Sequence, residues 1–112
     1  MENALRTVET LLRKYGHTYQ ANLAMIAREQ FMASPQAGCR VLNDDEWWGG
    51  SDSVAAAELA VDGGFGAQAR EDAKRLRGAL IEIYATMKAY GESHPQAEIV
   101  TAQFNNWLTS HV

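Results

Sequence analysis

At 112 residues and 46% hydrophobic content, the chain is long enough for one core-forming domain, residues 1–112, and too apolar for a disordered segment. Its formal charge of −4 argues against a nucleic-acid partner, because phosphate contacts need clustered cations. The longest apolar run is too short to span a bilayer, and Met1-Glu2-Asn3-Ala4 lacks the layout of a signal peptide, so no membrane partner is expected.

Strand signals are almost absent, and apolar residues recur at steps of three and four. The first helix is predicted over residues 2–15, with Leu5, Val8, Leu12 and Tyr15 on one face and Gly16 as its stop. A second helix, about 18–32, is expected to bury Tyr19, Leu23, Ile26 and Phe31, and Ser34-Pro35 ends it. Residues 34–51 form a long connection with a short helical turn near Pro35 to Leu42. A short alanine-rich helix, about 53–61, follows, capped by Ser51 or Ser53 and ended by Asp62-Gly63-Gly64. From about 67 to 90, Ala69, Ala73, Leu76, Leu80, Ile83, Met87 and Tyr90 make a seam that must pack against other helices. Ser93-His94-Pro95-Gln96 reads as the next helix start, with a serine cap. That last helix, to about residue 109, is expected to bury Ile99, Val100, Phe104, Trp107 and Leu108. The fold class is therefore all-α: a compact antiparallel bundle of four long helices plus a short fifth, with a long acidic, Trp-containing loop.

The charge is unevenly placed. Residues 41–66 hold six acids, Asp44, Asp45, Glu46, Asp52, Glu58 and Asp62, and no Lys or Arg; residues 1–40 sum to +2 and residues 67–112 to zero. Trp47 and Trp48 lie inside this segment, before the turn Gly49-Gly50-Ser51. Adjacent tryptophans hardly bury the same way, so one is expected to anchor the loop and the other to lie nearer the surface. An aromatic ringed by carboxylates suits capture of a basic protein partner, since aromatic anchors dominate interface energies and surrounding charge steers association. Asp52, Glu58 and Asp62 extend the acidic surface along the short helix, or Asp52 caps that helix.

Other chemistries fit less well. His17, His94 and His111 lack the ligand spacing of a zinc site, so no metal or other cofactor is expected. Asp44-Asp45-Glu46 supplies carboxylates but no convergent acid–base pair, and a solvated loop explains them better. Cys39, the only cysteine, forms no intrachain disulfide, and a reducing, cytoplasmic setting is the simplest expectation. Arg40 beside it would favour a thiolate, yet a lone cysteine is more often a small buried residue than a nucleophile. Gly63-Gly64-Phe65-Gly66 matches a phosphate loop in composition only, with neither a strand before it nor a P-loop lysine. An enzyme is not expected.

Two stretches carry a resemblance to a known class. One is Leu11-Leu12-Arg13-Lys14-Tyr15-Gly16; the other is Trp48-Gly49-Gly50-Ser51-Asp52-Ser53-Val54, followed by a helix with Leu80-Ile81-Glu82-Ile83-Tyr84. With the order of elements across most of the chain, these resemble small all-α immunity proteins encoded beside bacterial polymorphic or secreted toxins. The resemblance implies a cytoplasmic protein that neutralises a cognate toxin by direct binding, and it supplies no catalytic residues. The acidic segment then becomes the expected contact, occluding a basic cleft. The alternative from another class is a homodimeric structural or regulatory adaptor, with Met25, Met32 and Met87 as candidate adaptable apolar surface.

Overall fold

A computed structural model of the chain describes residues 1–57, 59 and 66–110, with Ser110 described through its backbone alone. The elements are α1 (Glu2–Lys14), α2 (Thr18–Ala33), α3 (Pro35–Leu42), α4 (Asp45–Trp48), a 3-10 turn (Val54–Ala56), α5 (Ala67–Ala89) and α6 (Pro95–Ser110). Among the described residues there is no strand. The four long helices are those the apolar periodicity predicts, and the all-α, compact architecture stands.

Helix α1 buries Ala4, Leu5, Val8, Leu11 and Leu12 on one face, with Glu2 in its first turn and Arg13 and Lys14 in its last, the polarity a helix dipole favours. Gly16 takes φ +83°, a left-handed conformation that a residue with a Cβ resists, and the chain folds back so that α2 packs along α1. Helix α3 then packs on α2, while α5 lies against α1 and α6. The centre is built from Leu5, Val8, Leu12, Leu42, Leu80, Ile83 and Met87, all without solvent contact. The radius of gyration, 13.3 Å, is that of a tightly folded chain of this length. Among the described residues no helix is long and apolar enough to cross a membrane.

Three expectations about these helices need correction. The buried face of α2 is not Tyr19, Leu23, Ile26 and Phe31; it is Ala21, Ala24 and Ala27. Small residues let α2 approach α1 and α3 closely, so Tyr19 and Ile26 are left exposed, while Leu23 and Phe31 are half-buried and pack at the edge of the core. In α6, Ala97 is buried, whereas Ile99 is exposed and Val100, Phe104, Trp107 and Leu108 are half-buried, because α6 covers one side of α5 and is itself covered by little else. At the end of α5's seam, Tyr90 is exposed and meets Phe31 edge-on, with ring centroids 6.2 Å apart.

The α6 start also differs. Ser93 does not cap it; His94 does, its Nδ1 accepting from the backbone N–H of Gln96 (3.1 Å) and of Ala97 (3.4 Å). Among the described residues of the short helix expected over 53–61, the regular element is the 3-10 turn, which has no side-chain cap. Ser53 Oγ donates backward to the Gly50 carbonyl instead, at 2.9 Å. Residues 58 and 60–65, and with them the expected stop at Asp62-Gly63-Gly64, lie outside the described residues.

Candidate functional site

The acidic segment is shaped by its own side chains. Asp44 is the N-cap of α4, its Oδ1 accepting the Glu46 N–H at 2.8 Å, and Asp45 and Glu46 occupy the first turn. A carboxylate at that position satisfies an orphan donor and favours the helix dipole. What the sequence offers as an extended loop is therefore a capped helical turn, and one turn of helix sends consecutive residues to different sides. Asp44, Asp45 and Glu46 face water, while Trp47 and Trp48 face the core.

Both tryptophans are buried, at 1% and 2% exposure, so the expected division into one anchor and one surface contact is wrong. Their rings lie 6.3 Å apart and are tilted 40° to one another, which lets two adjacent indoles enter the core side by side. Trp48 Nε1 donates to the Leu42 carbonyl at 2.9 Å, and its ring meets Tyr84 edge-on at 5.7 Å. The pair fixes the acidic turn to the bundle and offers no ring to a partner.

The aromatic that lies among the carboxylates is Tyr19, 58% exposed on α2. Its hydroxyl donates to Glu46 Oε1 at 2.7 Å, and this bond, aided by desolvation, raises the phenol above its ordinary range. Gln20 Nε2 donates to the Asp52 carbonyl at 3.0 Å, tying the following turn to the same helix. Tyr19, Gln20, Asp45, Glu46 and residues 49–53 enclose a groove of about 720 Å³. Three of the expected acids thus line one concavity: Asp45, Glu46 and Asp52. Asp44 sits beside it as the cap. Glu58 and Asp62 lie outside the described residues.

His94 does not line the groove but holds one of its acids from outside. Its Nε2 lies 2.7 Å from Asp45 Oδ1, linking the groove to the start of α6. Tyr19, Gln20 and His94 were not legible as site residues in the sequence. The signal for Tyr19 was the alanine stripe on the other side of α2, which sends position 19 outward.

Elsewhere the polar groups hold structure together. Asp72 on α5 is fully buried and accepts from Lys14 Nζ and Tyr15 Oη, both at 2.7 Å, and from Gln68 Nε2 at 3.0 Å. Lys14 first, then Tyr15, hold its carboxyl down at about 2. Cys39 is buried, and burial, with Glu92 nearby, pushes the thiol up rather than toward thiolate. Arg40 does not reverse this. Among the described residues no three His, Cys, Asp or Glu side chains converge to hold a metal ion. Of the three methionines named above, Met87 is buried, Met25 half-buried and Met32 exposed. Comparison of the chain with protein-family models, with curated proteins and with solved structures finds no match.

Proposed function

We propose that this protein is an immunity protein that binds and neutralises a cognate bacterial toxin, and that the groove beside Tyr19 is its docking edge. The observation that carries the reading is the gathering of Asp45, Glu46, Asp52 and the exposed Tyr19 ring around one concavity. A tyrosine supplies contact area at little entropic cost, and the carboxylates supply the field that attracts and orients a basic surface. The edge is stiff, because both tryptophans beneath it are locked into the core, so a partner need not order it on binding. On α2 the exposed Tyr19 and Ile26, at spacing i, i+7 with half-buried Leu23 between them, continue from the groove along one helix face and add apolar contact. An inhibitor of a toxin that acts on nucleic acid or nucleotides must cover a basic site, and this edge has the complementary charge.

The test begins with co-purification of the partner from the native host, followed by affinity measurements at several salt concentrations. Tyr19→Ala, and a triple reversal of Asp44, Asp45 and Glu46 to Lys, are each expected to weaken binding by about tenfold or more. The wild-type affinity is expected to fall as salt rises. Unchanged affinity in both variants, with the helical content intact, would remove the groove as the interface. Trp47→Ala does not test it, since that ring belongs to the core.

A homodimeric adaptor is the second reading, favoured by Met32 (63% exposed) and Ile99 (54% exposed), apolar side chains that do not line the groove. Met32→Asp and Ile99→Asp are expected to shift a sedimentation profile toward monomer under that reading and to leave it unchanged under the first.

A further inference from the structure

We propose that His94 is a proton-operated latch between the first turn of α6 and Asp45 on the groove wall. The geometry fixes the tautomer. Nδ1 faces two backbone donors, Gln96 N–H at 3.1 Å and Ala97 N–H at 3.4 Å, so it must present its lone pair. The ring proton then sits on Nε2 and is donated to Asp45 Oδ1 at 2.7 Å. One neutral imidazole therefore satisfies two orphan N–H groups of a helix start and holds a groove carboxylate.

A proton taken up from solvent can bind only at Nδ1. It turns the acceptor into a donor aimed at two other donors, beside the positive end of the α6 dipole. The cap is lost as an arrangement. Asp45 attracts the resulting cation, but the pair is open to water on the carboxylate side, 87% exposed against 12% for His94, and its attraction does not restore the two lost cap bonds. The ring therefore leaves the cap, and Asp45 leaves its fixed position on the wall.

The surrounding groups do not replace the lost acceptor. From α5, the Tyr84 hydroxyl is engaged by the His94 backbone and by Glu98 of α6, whose carboxylate also meets Lys88. In the α5–α6 link, Glu92 accepts from Asn43 at the end of α3. Among the described residues, the side chain that the His94 ring meets is Asp45 on α4. Histidine is the side chain that most readily exchanges a proton near neutral pH. Its effect on a partner rests on the docking reading above; the latch itself is a property of the free protein.

The experiment is performed on the free, isotopically labelled chain by NMR. At about pH 8 the His94 ring is expected to show a protonated Nε2 and an unprotonated Nδ1. As pH falls to about 5, the Gln96 and Ala97 amide resonances and the Asp45 side-chain resonances are expected to shift together with the ring. In His94→Asn, asparagine supplies a cap that does not titrate, and the same resonances are expected to stay flat over that range. An Nδ1–H tautomer at pH 8, or Gln96 and Ala97 amides that ignore the ring's titration, would overturn the latch. Those results come from wild-type protein and do not depend on the variant folding. They leave the docking edge standing, just as failed groove variants would leave the latch standing.

Discussion

The Trp48 indole N–H and the Leu42 carbonyl meet at 2.9 Å in the core, joining the acidic turn to the end of α3. Without that donor the carbonyl that closes α3 would be buried and unsatisfied, at a cost of about 1–3 kcal/mol. Trp48→Phe keeps most of the ring and removes the donor, so it isolates this bond, and a stability loss of that order is expected. Trp48→Ala also opens a cavity under the groove and is expected to lose about 3–5 kcal/mol. Urea denaturation followed by circular dichroism measures both. If Trp48→Ala lost no more than a surface substitution does, the acidic turn would not be anchored as described.

A second prediction concerns two glycines of opposite character. A Cβ on Gly38 would fall 2.5 Å from the Phe31 Cα and 2.7 Å from the Phe31 backbone nitrogen, so α3 rides directly on the α2 backbone there. Neither helix can yield without loosening the other, and Gly38→Ala is expected to destabilise by about 1–3 kcal/mol, the usual cost of overpacking. Gly78 lies inside α5, is exposed, and has nothing within 4 Å of such a Cβ. Gly78→Ala is expected to stabilise the protein by up to about 1 kcal/mol through helix propensity alone. Thermal unfolding of the two variants should move in opposite directions.

Cys39 gives a third. The side chain has no solvent exposure, and burial raises the thiol, so thiolate and access are both lacking in the native state. A thiol reagent in excess is expected to label the native protein only as fast as the surrounding core opens, and to label it at once in denaturant. Rapid native labelling would contradict the packing of α3.

Much of the fold is legible in the sequence because the long helices carry unambiguous periodicity. The α1 stripe and the α5 seam each place large apolar residues every three or four positions, and Leu5, Val8 and Leu12 of the first and Leu76, Leu80, Ile83 and Met87 of the second are buried. The reading of α2 failed where two stripes compete, one large (Tyr19, Leu23, Ile26) and one small (Ala21, Ala24, Ala27). Residue size favours the first, but interhelical distance favours the second, and distance is a tertiary quantity. The acidic segment was legible as charge and not as geometry. Asp44 capping a single turn turns both indoles inward, and no pattern of a four-residue helix announces that. Tyr19 reaches Glu46 from α2, 27 residues earlier, and His94 reaches Asp45 from the start of α6, 49 residues later, pairings that local sequence does not specify.

The last prediction follows from Asp72, a carboxylate wholly inside the protein at the contact between α1 and α5. The Lys14 ammonium, then the Tyr15 hydroxyl, hold it at about 2, below the 3.8 of an unperturbed aspartate. A folded-state value below the unfolded one means that the ionised form stabilises the fold. That contribution is present in full above pH 3.8 and is lost as pH falls through about 2. Asp72→Asn is therefore expected to be less stable than wild type at neutral pH, with the gap narrowing steadily from about pH 4 to about pH 2. Tyr15→Phe removes one of the two short bonds to the same oxygen and is expected to raise the Asp72 value, so its acid unfolding begins at higher pH. Urea midpoints measured across that range decide the matter. A gap that stays constant with pH would show that the asparagine disturbs packing only, and that the buried charge does not stabilise the α1–α5 contact.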